Sequence, residues 1–176
     1  MTMNGSWGYK SYDHNWKTPE TLILSLAEVV SKGGNFLLNV GPESNGEFPQ
    51  ESVQILKTIN EWMKINNEAI YGCGYVDLEK QDWGYFTKNR VTGKIYMIVV
   101  NFPVNNTLRI KLPVGKMINN SCPLLDRNQN LIVEEIQSNE YNIHLGQKLK
   151  DTHSIVVIEI SLSQKKGNTQ VEGPKI

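Results

Sequence analysis

The side chains able to do acid–base, nucleophilic or metal chemistry are thinly spread along this chain. Cys73 and Cys122 stand far apart, and His14, His144 and His153 are scattered. Zinc sites use closely spaced ligand pairs, so neither a metal centre nor a Ser-His-Asp arrangement finds support. Asp13, Glu20, Glu43 and Glu47 are the candidates for a carboxylate pair in the first third. Each has a plainer reading. "SYDHNW" puts Asp13 beside His14 on a loop, where such neighbours bond locally. Glu20 follows Pro19 in what reads as a helix's first turn, where the dipole favours a negative charge. Glu43 and Glu47 lie in the polar turn "GPESNGEFP". The sequence therefore offers no catalytic residue of its own. "SKGGN" suggests an anion-cradling turn, but it lacks the phosphate-loop spacing and follows a helix instead of preceding one, so it reads as helix termination. Asn4, Asn105 and Asn119 each begin an Asn-x-Ser/Thr triplet, which in so Asn-rich a chain does not establish secretion.

The elements that would position such groups divide near residue 72. Thr18 can cap a helix, Pro19 suits its first position, and Leu22, Ile23, Leu26, Val29 and Val30 form one apolar stripe up to Gly33. "NFLLNV" (35–40) is apolar on both faces and predicts a buried parallel strand, with a second near Met1 to Asn4. A further helix fits 49–66, with Val53, Leu56, Ile59, Trp62 and Met63 on one face. Helix, strand, loop and helix read as the closing part of a repeating β/α fold. A complete barrel of that kind needs eight strands and about 250 residues. On this reading Met1 is internal to a larger unit, and residues 1–72 are an incomplete barrel segment.

Residues 73–162 change character to short strands between polar turns: "WGYFTKN", "KIYMIVVNF", "TLRIKL", "NLIVEEI", "EYNIHL" and "HSIVVIEISL". Strands of this spacing predict an antiparallel β-sandwich able to pair within itself. The expected fold class is thus α/β plus all-β, a remnant of the C-terminal end of a (β/α) barrel followed by that sandwich. Residues 163–176 carry almost no apolar side chain and read as a disordered tail.

Composition excludes several partners. Eighteen basic and eighteen acidic residues cancel, leaving no electrostatic footprint for nucleic acid. No apolar run approaches the ~20 residues that span a bilayer, so no membrane segment is expected. No cofactor motif is present.

"MTMNGSWGY", "LILSLAEVVSKGGNFLLNVGPESNGEFP" and "LKTINEWMKINNEAIYG" together closely resemble the C-terminal barrel segment of family 29 α-L-fucosidases. The likeness covers residues 1 to about 72 at motif level, and the strand-rich part in position and pattern only. It implies a retaining glycoside hydrolase that removes terminal α-linked L-fucose from glycans, with an Asp nucleophile and a Glu acid/base. That mechanism sets two carboxyl groups about 5–5.5 Å apart. In the family both lie N-terminal to the stretch matching Met1 to Tyr9, so this chain alone is expected to be inactive and to depend on the missing N-terminal barrel region. The resemblance also places Trp7 where an aromatic packs beside the sugar. The indole face suits the methyl and C–H face of fucose, and filling the barrel mouth is the other reading. Tyr9 and Trp16 read as packing residues, and Asn39 as satisfying strand-end backbone.

Two function classes follow. One is the C-terminal portion of an α-L-fucosidase acting on fucosylated glycans. The other is a stand-alone carbohydrate-binding or interaction module, with Trp83, Tyr85, Tyr96 and Tyr141 as a sugar platform. Apolar stripes left without neighbours make self-association expected. The compartment is unknown from sequence.

Overall fold

The computed structural model describes residues 1–147, 149 and 154–165. Thr18 caps α1 (Pro19–Ser31), its side chain accepting from the Thr21 N–H at 3.2 Å. Pro19 stands where a missing N–H costs nothing. Gly33 ends the helix at φ +77°, and the N–H groups of Gly33 and Gly34 reach Val30 O and Val29 O at 2.9 Å. "SKGGN" is therefore a helix terminator, using the left-handed conformation that glycine adopts without penalty. α2 (Gln50–Asn66) begins after Pro49 and runs into a short 3₁₀ turn, Asn67–Ala69.

The strand expected over 35–40 does not form. Pairing there is a single parallel bridge between Thr2 and Asn39. It is carried by Asn39 N–H to Met1 O and by the Met1 amino group to Leu37 O, both 2.9 Å. A buried parallel strand needs partners along both edges for its N–H and C=O groups. The described residues supply one partner at one position, and Leu37 is left 71% exposed. The second strand expected near Met1 to Asn4 does not form either, since Thr2 is only the other half of that isolated bridge.

Eight strands follow among the described residues. They are β1 (Cys73–Gly74), β2 (Gly84–Asn89), β3 (Ile95–Val99), β4 (Thr107–Lys111), β5 (Lys116–Pro123), β6 (Ile132–Gln137), β7 (Glu140–His144) and β8 (Val156–Gln164). One sheet has the order β1-β2-β3-β8-β5 and the other β4-β7-β6, with every neighbouring pair antiparallel. All six strands anticipated from the sequence are here. β1 and β5 are additions. β5 hides in the sequence because Asn119 and Asn120 break its alternation, at a bulge between Ile118 and Asn120. Ser163 and Gln164, expected in the tail, extend β8 along β5. The remainder of the expected tail, from residue 166, lies outside the described residues.

The five-stranded sheet is buried on both faces. Ile95, Met97, Val99, Val156, Ile158 and Ile160 face Leu108, Ile110, Tyr141 and Ile143 of the other sheet. The intervening side chains Tyr96, Ile98 and Val157 meet Ile23, Ala27 and Val30 of α1, with Ile59, Trp62 and Met63 of α2 alongside. Strict alternation along β3 thus explains why "IYMIV" is apolar throughout. The chain is mixed α and β with antiparallel sheets, and its helices lie against the larger sheet.

Polar ties fasten the helical layer. Thr87 Oγ1 donates to Ala69 O at 2.7 Å, and Trp62 Nε1 to Ile155 O at 3.1 Å. Arg127 bridges Glu68 and the 6%-exposed Glu159, each at 2.8 Å, and Lys94 adds a 3.0 Å contact to Glu159. Burial, then the carboxylates of Glu159 and Glu68, pushes the Tyr96 phenol well above its usual range.

Three of the four aromatics suggested as a sugar platform are core residues. Trp83, Tyr96 and Tyr141 are buried and Tyr85 is half-buried. Trp83 packs edge-on to Phe86 with centroids 5.1 Å apart, and its Nε1 donates to Arg109 O. Trp83 and Tyr141 face the space between the sheets and Tyr96 faces the helical layer, so none of these three rings is open to stack on a sugar. Asn4 is likewise buried, so its triplet is closed to glycosylation in the folded chain.

Candidate functional site

The loop carrying Trp7 is built by short polar ties. Asp13 accepts from Gly5 N–H at 3.0 Å, Ser6 Oγ at 3.2 Å and Asn15 N–H at 3.2 Å. Lys17 closes the same loop, with its N–H on Met3 O at 2.8 Å and Nζ on Asn4 O at 2.9 Å. Partial desolvation pushes the Asp13 carboxyl up. The bonds from Asn15, Ser6 and Gly5, with the charge of Lys10, outweigh it and hold the group below its ordinary 3.8. A general acid needs the opposite shift. Asp13 is an organiser of backbone, as the sequence reading supposed.

On its other side the loop is pinned by the segment after α1. Asn39 Nδ2 donates to Trp7 O at 2.7 Å. Gly41 lies so close that a Cβ there would stand 2.7 Å from Tyr9 N and 2.9 Å from Gly8 C. The absence of a side chain at Gly41 is what lets the two segments meet. Asn39 therefore does more than satisfy its own backbone: it fixes the carbonyl of the residue that presents the indole. Gly41 was missed in the sequence, where "NVGP" reads only as a turn.

Trp7 is 59% exposed, and its indole N–H makes no hydrogen bond among the described residues. Tyr9, Tyr12, Leu37 and Phe48 are exposed as well, and Trp16 is half-buried. Tyr9, read as a packing residue, instead lies open beside Trp7. Glu20 and His14 are exposed. Glu43 and Glu47 close their own turn, with Glu43 N–H on Glu47 O at 2.8 Å and Asn45 bridging to Glu47 Oε2 at 3.1 Å. The site thus presents an aromatic surface on a fastened loop, with no carboxylate pair beside it among these four. Such a surface can hold the apolar face of a ligand. No His, Cys, Asp or Glu group of three that could hold a metal occurs among the described residues, and none of their helices is long and apolar enough to cross a membrane.

Comparison with known proteins gives a consistent result. The family model described as alpha-L-fucosidase matches residues 1–68. The alpha-L-fucosidase of Dictyostelium discoideum is 33% identical over 117 residues, which is 65% of this chain and 25% of that protein. The human plasma alpha-L-fucosidase is 29% identical over 81% of this chain and 32% of its own length. Among solved structures, a GH29 alpha-L-fucosidase from Bacteroides thetaiotaomicron superposes with a TM-score of 0.86 and 32% identity, over 93% of this chain and 37% of that one. A Thermotoga maritima alpha-fucosidase solved with fucose gives a TM-score of 0.75 at 26% identity, over 92% and 39%. The chain spans between a quarter and two fifths of the length of these relatives.

Proposed function

This chain belongs to the alpha-L-fucosidase family, and we propose that it is the C-terminal portion of a retaining enzyme that removes terminal α-linked L-fucose from glycans. The observation that carries this reading is the match to GH29 structures over nearly the whole chain, which accounts for little more than a third of theirs. Residues 1–72 are the closing segment of the catalytic (β/α) barrel in this reading. The parallel Thr2–Asn39 bridge, with α1 between its two halves and α2 after them, supports that assignment. Residues 73–162 are a C-terminal β-sandwich, supported by two antiparallel sheets facing one apolar cluster.

The catalytic Asp and Glu belong to the part of the relatives that this chain does not span, and the chain alone is inactive. Asp13 is engaged in holding a loop, and the other nearby acids are exposed or locally bonded. Trp7 supplies an apolar wall against the C–H and methyl face of fucose, with its free N–H available to a sugar oxygen. The exposed surface of Trp7, Tyr12, Leu37 and Phe48 is where the preceding barrel strands would pack, and in their absence it favours self-association.

The test is hydrolysis of 4-nitrophenyl α-L-fucoside by the purified chain and by the chain extended with its upstream coding region. No turnover from the first and turnover from the second are expected. Activity of the chain alone would overturn its inactivity, and an inactive, folded extended protein would overturn the fucosidase reading.

A further inference from the structure

The edges of the two sheets meet where β5 approaches β6, and a cleft of about 420 Å³ opens there. This lies within the roughly 300–1,000 Å³ range of small-molecule sites. Its polar lining comes from Asn119, Asn120, Ser121, Asn130, Glu135 and Tyr141. Ser121 is 2% exposed, and its Oγ has no hydrogen-bond partner. A buried hydroxyl left unpaired is costly, and it is uncommon enough in folded proteins to need a reason. The β5 bulge sets its direction. After the register shift at Ile118/Asn120, Ser121 pairs with Ile160 and shares the face that looks between the sheets.

The neighbouring groups are also free to bond. The amides of Asn120 and Asn130 make no hydrogen bond among the described residues, and Asn119 uses its Oδ1 alone, accepting from Ser163 Oγ at 2.9 Å. The acid in the lining, Glu135, is neutralised by its ion pair with Lys165. Met117 and Val133 add half-buried apolar wall.

From this arrangement we infer that the β5–β6 cleft is a binding site for a neutral saccharide, distinct from the Trp7 loop. Amide and hydroxyl groups each offer both a donor and an acceptor, which is the complement of a sugar's hydroxyls. A neutral lining excludes a phosphate or a carboxylate as the preferred ligand, while the apolar wall suits a sugar's C–H face. A neutral sugar would bind here whether or not the larger protein cleaves fucosides, because none of these residues belongs to the barrel segment.

The experiment is an NMR titration of the full chain with lactose, which contains no fucose. Saturable shifts are expected in the side-chain amides of Asn119, Asn120 and Asn130 and in the Ser121 backbone. Replacing both Asn120→Ala and Asn130→Ala should weaken binding about three- to tenfold, the loss expected for a small number of neutral hydrogen bonds. Ser121→Ala separates recognition from packing. It should raise the thermal midpoint of the unliganded chain by removing an unpaired hydroxyl, and weaken lactose binding at the same time. A raised midpoint with unchanged affinity would overturn the proposal. So would shifts confined to residues 5–9, or none at tens of millimolar lactose. None of these outcomes bears on the fucoside assay.

Discussion

At the scale of single residues, the informative carboxylate is Asp13, because its bonds define what the Trp7 loop can do. Three donors converge on it, and its folded pKa is depressed below 3.8. A depressed carboxylate contributes stability above its unfolded pKa and loses it as pH falls through the folded value. The loop should therefore stay tied through neutral and mildly acidic pH and loosen only below the ordinary aspartate range. Amide shifts of Gly5 and Asn15 followed against pH should show a midpoint under 3.8, absent in Asp13→Asn. A midpoint above that value would mean that desolvation wins over the hydrogen bonds. Trp7 owes its exposure to the same construction, since Asn39 and Gly41 hold its main chain and leave its ring outward.

Between elements, the decisive contact is the helical layer on the five-stranded sheet. The strands of residues 73–162 pair among themselves, which suggests from sequence a unit that survives removal of residues 1–72. The structure argues otherwise. Tyr96, Ile98 and Val157 on the sheet's outer face are covered by α1 and α2. Uncovering an apolar side chain of this size forfeits roughly 1.5–3 kcal/mol. Three such losses rival the ~5–15 kcal/mol total stability of an ordinary domain. The partners of Arg127 and Thr87, Glu68 and Ala69 O, are removed with the helices. A fragment of residues 73–176 is expected to bind a hydrophobic dye strongly and to unfold at a markedly lower temperature than the whole chain. Equal thermal midpoints and no dye binding would show that the outer face repacks by itself.

For the whole molecule, what matters is the set of apolar side chains left exposed in the first 48 residues. Leu37 at 71% exposure and Tyr12 at 74% stand clear of the fold, with Trp7 and Phe48 beside them in the exposed set. Exposed apolar surface of this kind marks an interface or an association hazard. Sedimentation of the isolated chain at tens of micromolar should show self-association, and Leu37→Glu should reduce it. Leu38 carries less of this effect because it is half-buried. A monomer that is indifferent to Leu37→Glu would remove this surface as the contact.

The sequence by itself determined whatever depends on neighbours along the chain. Thr18 and Pro19 start α1 and Gly33 stops it through local hydrogen bonds and backbone preference, so those ends are legible without any fold. Alternation in "TLRIKL" and continuity in "IYMIV" marked one-sided and two-sided burial, and both are observed. Family likeness was carried by three quoted stretches and needed no coordinates. Tertiary structure decided what depends on residues distant in sequence. "NFLLNV" has the composition of a buried strand, yet it lacks the partners on both edges that a strand requires, and Leu37 turns outward. Trp83, Tyr96 and Tyr141 have the chemistry of a sugar platform, and which face of the sheet they take was settled by register and by the layer packed against it. The orphaned Ser121 hydroxyl could not be read from "NNSCP", because its direction follows from a bulge that exists only when β5 pairs with β8.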